Sequence, residues 1–240
     1  MEKGICTQSA IAIRKEPFHS SEMVSQLLYN ELYTKLDEAN GWTLIRTEHD
    51  QYEGWIWTKQ HHAISEEEFE RLKACKTHLT AKPIIELEGK WLTLGTPLYE
   101  PHADAMAMPS AFDPQLMIAN AKKLLGVPYL WGGRTVMGID CSGFVQICTR
   151  NAGLLLPRDA SQQAQCGEVV YFLQETQPGD LAFFGNDEGR ITHVGILIGD
   201  EQIIHASGKV RIDYLDQTGI FNKETGMHTH QLQNIMRCGG

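Results

Sequence analysis

No run of about 18 apolar residues occurs in the 240-residue sequence, so it offers no membrane span. The amino-terminal Met1-Glu2-Lys3-Gly4-Ile5-Cys6 lacks an apolar core of signal-peptide length. The expectation is a cytoplasmic protein, or a periplasmic or secreted one if a signal was removed. Basic residues are in short supply: 21 Lys and Arg against 30 Asp and Glu give a formal net charge of −9. That balance argues against nucleic acid or an anionic membrane as a main partner. The six cysteines, Cys6, Cys75, Cys141, Cys148, Cys166 and Cys238, fall in no CxxC pattern, and free thiols in a reducing compartment are the simpler reading. His61, His62, His228 and His230 have no Cys or acidic ligands at a recognisable metal spacing and read as surface residues; no cofactor is expected. Low-complexity runs and clear internal repeats are missing as well. What remains is an ordinary globular composition, with enough apolar material for one large or two smaller domains.

The most informative stretch runs from Gly132 to Val145. It sets Cys141 between a glycine-rich loop and the start of a helix that runs to about Asn151, with Gly153 as its stop. Asp140 is a good N-cap, and amides in the first turn of a helix favour a thiolate, so the Cys141 thiol is expected to have a lowered pKa. Taken alone, a cysteine at a helix start is more often a small buried core residue. A downstream base alters that balance. His193 in Ile191–Ile198 and His205 in Gln202–Ser207 lie in two β-branched segments that read as strands around Gly199-Asp200-Glu201. With a three-residue loop, Ile198 pairs with Gln202, His193 falls opposite Ser207, and His205 falls opposite Gly195. Both histidines then share one face; a loop of two or four residues would separate them. This geometry suits Cys141 as nucleophile, His193 as base and His205 as the group that orients it.

Residues 1–64 read as short strands: Ala10–Arg14, Glu22–Leu28, Glu31–Leu36, Trp42–Arg46 after an Asn40-Gly41 turn, and Tyr52–Trp57. Strands at this spacing suggest a small β-barrel, with Trp42, Trp55 and Trp57 as core and rim. Ser65 caps a helix with an acidic first turn and Glu68 at the capping-box position. Residues 65–112 otherwise read as a linker or a second small barrel, with Ile84–Leu87 and Lys90–Leu94 as strands around Glu88-Gly89. From residue 113, Pro114 opens an amphipathic helix that leads through Val127-Pro128-Tyr129 to the glycine loop.

The ordered set Pro128-Tyr129-Leu130-Trp131-Gly132-Gly133, Asp140-Cys141-Ser142-Gly143-Phe144, Pro178-Gly179-Asp180-Leu181 and His193-Val194-Gly195-Ile196 resembles the NlpC/P60 cell-wall cysteine peptidases. Gly41-Trp42 and Gly54-Trp55-Ile56 resemble marks of a bacterial SH3-like barrel. The resemblance implies an α+β fold: a papain-like catalytic domain over residues 113–240 behind a small all-β barrel. It implies Tyr129 as an oxyanion donor with the Cys141 amide, and a thiolate–imidazolium pair between Cys141 and His193. Ser142, Arg158 and Asp159 line the substrate pocket in this reading, although relatives often have a hydroxyl residue where Ala160 stands. Members with such barrels and no secretion signal resemble murein-peptide recycling enzymes, which cut the γ-D-glutamyl to diamino acid bond and demand a free N-terminal L-Ala. Their ammonium-binding tyrosine and acid match Tyr52 and Glu22, with Asp140 as another candidate, although it also serves as the helix cap. The expected partner is therefore a murein peptide. A hydrolase of intact wall, an amidase or acyltransferase on the same fold, and a non-catalytic wall-binding protein are the rival readings.

Overall fold

Period-two alternation builds the amino-terminal strands. In Ala10–Arg14, Ile11 and Ile13 are buried while their neighbours stay partly exposed. The computed structural model describes residues 1–186 and 188–239. It extends this pattern through β1 (Lys3–Ile5), β2 (Ala10–Arg14), β3 (Met23–Leu28), β4 (Leu32–Ala39), β5 (Trp42–Thr47), β6 (Glu53–Trp57) and β7 (Ala63–Ile64). These strands form one antiparallel sheet in the order β3-β2-β6-β5-β4-β1-β7. Its core is Cys6, Ile11, Ile13, Leu27, Tyr33, Ile45 and Ile56. Asn40 and Gly41, both at positive φ, turn β4 into β5, as the Asn-Gly pair predicts. Trp42 is core, and the His19 ring meets Trp42 and Trp57 edge-on at 4.9 and 5.4 Å.

By its contacts the chain divides into two units: Met1–Met108 with Leu130–Gly138, and Pro109–Tyr129 with the chain from Ile139 onward. Residues 65–108 are thus continuous with the barrel. In α1 (Glu66–Ala74), the Ser65 hydroxyl accepts from the Glu68 amide, while the Glu68 carboxylate turns to Arg71. Phe69 and Leu72 pack on Leu32, Ile5, Ile64 and Tyr99. Then follow β8 (His78–Thr80), β9 (Ile84–Leu87), β10 (Lys90–Thr93), β11 (Pro97–Leu98) and β12 (Ala105–Ala107). The β9–β10 hairpin turns at Glu88-Gly89, and β11 and β12 flank β8. The first unit also takes in the glycine loop. Arg134 is fully buried there, and its guanidinium donates to both carboxylate oxygens of Glu31 (2.9 and 3.0 Å) and to the Gln26 carbonyl (2.6 Å). A Cβ at Gly132 would collide with the Met23 backbone, so only glycine lets that approach occur.

In the second unit, Asp113 caps α2 (Pro114–Lys123), as Pro114 at its first position predicts. Along the chain, β13 (Arg134–Thr135) of the first unit and β14 (Gly138–Ile139), where the second unit resumes, precede α3 (Cys141–Arg150), which is buried on all sides. It packs against α2 and against the sheet. After the short α4 (Ala160–Gln163) come β15 (Glu168–Val169), β16 (Leu181–Gly185), β17 (Ile191–Gly199), β18 (Gln202–Ser207), β19 (Lys209–Leu215), β20 (Gly219–Asn222) and β21 (Met227–Arg237). Their order is β15-β21-β16-β17-β18-β19-β20, and β20 pairs back onto β21, so the last six strands close on themselves. Ala182, Phe184, Leu197, Ile203, Leu215, Ile220 and Ile235 form the apolar cluster of this sheet.

Candidate active site

Cys141 opens α3, and its position follows from the cap. Asp140 accepts from the Gly143 amide at 2.7 Å, which fixes the first turn. Asp140 is also held bidentately by Arg158, at 3.0 and 2.5 Å, and Arg158 donates to the Ser142 hydroxyl at 2.8 Å. Arg158 is 1% exposed and its guanidinium turns inward to the cap, while Asp159 is exposed. Its guanidinium is committed to the helix cap, as is the Asp140 carboxylate. Gln163 adds a brace, donating to the carbonyls of Ser142 and Pro157 at 3.1 and 2.9 Å.

The two histidines meet as the register predicts, though by another route. Gly195 pairs with His205, Ile196 with Ile204 and Leu197 with Ile203. The turn is two residues, Asp200-Glu201, both at positive φ, and the pairing slips by one residue between Leu197 and Gly199. The bulge at Ile198 restores the alternation that a two-residue loop alone would reverse. His193 Nε2 lies 2.8 Å from His205 Nδ1, the rings nearly perpendicular. A Cβ at Gly195 would press on the Cβ of His205 and the side chain of Ile203, so glycine keeps this crossing open.

Two further groups belong to the cluster: Asp213, which carries no motif in the sequence, and His230, which reads there as a surface residue. Asp213 on β19 places Oδ2 at 3.1 Å from His205 Nε2. Its signal lay in Arg211-Ile212-Asp213, charges two apart on a strand, where β18–β19 pairing sets Arg211 against His205 and Asp213 against Ile203. His230 stacks on His193, ring centroids 4.2 Å apart, and is half-buried rather than a surface residue. His61 is likewise not free at the surface, since Tyr33 and Glu2 hold its two ring nitrogens. His228 is exposed and paired with Asp216.

Burial decides the resting protonation states. It pushes the Cys141 thiol up to about 12, and the Asp140 charge adds to this; the Val194 amide, Arg158 and the Ser142 amide pull the other way and lose. The expected lowering by the helix amino terminus is therefore reversed, because Cys141 is only 5% exposed and its sulfur forfeits water. Burial, with His205 and His230 beside it, holds His193 well below the usual histidine range. The resting pair is a thiol and a neutral imidazole rather than the expected thiolate and imidazolium. The Val194 amide that reaches the Cys141 sulfur belongs to the residue next to His193, so the start of α3 meets β17 beside that histidine.

Tyr129 is fixed by backbone pairing: its amide donates to the Gly208 carbonyl at 2.9 Å, and it bridges in parallel to Ile139. Burial raises its phenol well above the ordinary value, and the nearby Asp140 carboxylate adds to this. It stays a protonated donor beside the nucleophile. The arrangement suits acyl-transfer chemistry, in which an imidazole takes a thiol proton as sulfur attacks a carbonyl, donors meet the oxyanion, and the imidazole returns the proton to the leaving group.

Glu22 and Tyr52 lie in the first unit. Glu22 is exposed, accepts from the Trp131 indole at 2.7 Å and faces Lys15 at 3.6 Å; Tyr52 is half-buried, its amide on the Thr47 hydroxyl at 2.9 Å. Among the described residues no helix is long and apolar enough to cross a membrane, and no group of three or more His, Cys, Asp or Glu side chains is arranged to hold a metal.

Residues 126–229 match the NlpC/P60 family, and residues 13–60 match the bacterial dipeptidyl-peptidase Sh3 domain. The chain is 33% identical over 141 residues to the gamma-D-glutamyl-L-lysine dipeptidyl-peptidase of Bacillus cereus, covering 57% of this chain and 41% of that protein. It is 43% identical over 105 residues to the enzyme of the same name from Bacillus subtilis, covering 42% and 35%. The chain thus spans less than half the length of these relatives in its matched part. The crystal structure of an NlpC/P60 family protein from Bacillus cereus superposes with a TM-score of 0.81 at 20% identity, over 99% of this chain and 100% of that one, which establishes the fold. The barrel, the ordered motifs and the Cys141–His193–His205 cluster thus converge: this chain carries an NlpC/P60 family domain behind a bacterial dipeptidyl-peptidase Sh3 domain.

Proposed function

We propose that the chain is a cysteine peptidase acting on peptidoglycan peptides, and that it cuts the bond from the γ-carboxyl of D-Glu to the diamino acid. The observation that carries this reading is the buried cysteine at a capped helix start, with a neutral histidine, a second histidine and a carboxylate in series behind it. The names of the relatives supply the substrate class: both Bacillus proteins are called gamma-D-glutamyl-L-lysine dipeptidyl-peptidases. In this mechanism Cys141 Sγ attacks the γ-D-glutamyl carbonyl while His193 accepts its proton. The Cys141 amide and the Tyr129 hydroxyl donate to the oxyanion. His193 then protonates the departing amine of the diamino acid, and water hydrolyses the thioester.

The finer reading is a recycling enzyme that requires a free amino-terminal L-Ala, with Glu22 and Tyr52 as the barrel's candidates for the ammonium. A cation removed from water needs a carboxylate partner, and crosslinked wall chains would be excluded by such a requirement. The test is a mass-spectrometric digest of L-Ala-γ-D-Glu-diaminopimelate beside its N-acetylated form. Cleavage of the free peptide alone supports the recycling reading. Equal cleavage of both retains the peptidase and points to intact wall. Cleavage of neither, with Cys141 intact, removes the peptidase reading.

A further inference from the structure

Asp213 is wholly buried, and every hydrogen-bond partner whose role is fixed donates to it. Arg211 Nε reaches Oδ2 at 2.6 Å, Arg211 Nη2 reaches Oδ1 at 3.0 Å, and the Lys223 amide reaches Oδ1 at 3.2 Å. Burial alone would raise this carboxyl, but His205, Arg211 and the Lys223 amide outweigh it and hold it far down, so it is a carboxylate and can only accept. The remaining partner is His205 Nε2 at 3.1 Å, which must therefore carry a hydrogen. A neutral His205 with Nε2–H has a bare Nδ1. That atom faces His193 Nε2 at 2.8 Å, so His193 Nε2 must donate in turn. A neutral His193 with Nε2–H has its lone pair on Nδ1, the nitrogen not engaged by His205.

We infer that Asp213 is a positioning residue that fixes the tautomers of His205 and His193 in series, so that His193 keeps an unprotonated Nδ1 for Cys141. The logic is one of parity along a chain of rings. If His205 instead carried its proton on Nδ1, His193 Nε2 would have to accept, and the His193 proton would sit on Nδ1, where no base is left for the thiol. In the reacting state the Cys141 S–H bond breaks and the His193 Nδ1–H bond forms. The imidazolium still donates through Nε2 to His205 Nδ1, and no proton moves on to His205 or Asp213. The charge on His193 is met through a His205 ring polarised by the carboxylate, itself held in place by Arg211, which also pairs with Glu224 at 2.9 Å.

The consequence for rate rests on the peptidase reading, whereas the tautomers do not, and the experiment separates the two. Histidine ring ¹⁵N spectra of the full chain at neutral pH are expected to show both His193 and His205 as Nε2–H tautomers. Either ring reading as Nδ1–H overturns the inference, and this measurement needs no variant to fold. Asp213→Asn is then expected to mix the tautomers at both rings and, on a cleaved murein peptide, to lower kcat roughly 10–100-fold with KM little changed. Unchanged tautomers in folded Asp213→Asn overturn the inference too, as does a fall in rate that matches the loss of folded protein. If no murein peptide is cut while the tautomers stand as stated, the peptidase reading fails and the role of Asp213 survives.

Discussion

Each unit of this molecule buries a network of ionisable groups, and the two are built to opposite ends. In the first, Arg134 and Glu31 form a bidentate pair at 1% and 0% side-chain exposure. His49 and Asp50 stand beside it, and the Glu31 carboxylate also accepts from the Leu28 amide at 2.8 Å. That network pairs the Arg134 cation directly with the Glu31 carboxylate, and what it fixes is the loop from Leu130 to Gly138. In the second unit Asp213, His205 and His193 form a line that is charged and clamped at one end and ends on neutral groups at the other. A buried pair that cancels is a structural device; a buried line with a basic nitrogen left over is a reactive one. Burial serves both. It makes the Arg134–Glu31 pair costly to break, and it favours the neutral forms of Cys141 and His193.

The largest expected effect breaks the reactive line at its open end. Cys141→Ala removes the nucleophile from the first turn of a helix that alanine suits well. Turnover of the free-amine peptide should fall to background, while the thermal unfolding midpoint stays close to that of the parent chain. An active Cys141→Ala protein would sink the peptidase reading.

Next comes the Arg134–Glu31 pair. Arg134→Ala leaves Glu31 buried without its cation, and breaking one side of such a pair costs about 3–5 kcal/mol. Urea unfolding followed by tryptophan fluorescence should register that loss, because all five tryptophans lie in the first unit. Double replacement, Arg134→Met with Glu31→Leu, should recover part of it, since the two opposite charges leave together while the Leu28 amide and the Gln26 carbonyl each lose one partner. No comparable rescue is expected along the reactive line, where each group has a directional task. A double replacement that fails to recover stability would mean the first network also does directional work.

Tyr129→Phe is a finer cut. The ring keeps its place through the backbone bond to Gly208, and only the hydroxyl is lost. If it meets the oxyanion, kcat should fall by about two to three orders of magnitude, with KM nearly unchanged. A rise in KM alone would move Tyr129 from the oxyanion to substrate binding.

How much of this was readable from the sequence depended on how local each signal was. The Asn40-Gly41 and Glu88-Gly89 turns, the Ser65 cap, the helix opened by Pro114 and the helix behind Cys141 are written in a few adjacent residues, and they form as read. The pairing of His205 with Gly195 was also legible, although the loop is one residue shorter and a bulge makes up the difference. What escaped depends on partners distant in sequence. Arg158 reads as a pocket residue by resemblance, and nothing local in its sequence shows that its guanidinium is held by Asp140 at the start of α3. Arg134 looks like part of a flexible glycine loop until Glu31, about a hundred residues earlier, turns out to bury it. His230 looks exposed until the sheet closes through β20 and β21 and lays it on His193. The thiol was misjudged for the same reason: a helix amino terminus can be read from a cap, but the loss of water around Cys141 cannot.

The smallest effect separates the neutral end of the reactive line from its charged end by pH. His230 is pushed down from 6.5 to about 4, by burial first and by His205 second, and His193 is pushed well below 6.5. Both therefore bind a proton more readily in the unfolded chain. Stability from keeping them neutral is present above pH 6.5 and is lost as the pH falls toward the folded values. Cys141, raised from 9.0 to about 12, has the opposite sign: its contribution is full below pH 9 and is lost as the pH rises toward 12. His230→Phe keeps a ring against His193 but has no proton to take up, so the acid arm of the stability profile should become shallower while the alkaline arm stays. Cys141→Ala should flatten part of the alkaline arm and leave the acid arm unchanged. Urea midpoints at a series of pH values measure both. If His230→Phe leaves the acid arm as steep as before, the imidazole at 230 does not titrate with folding, and the acid sensitivity belongs to His193 and its neighbours.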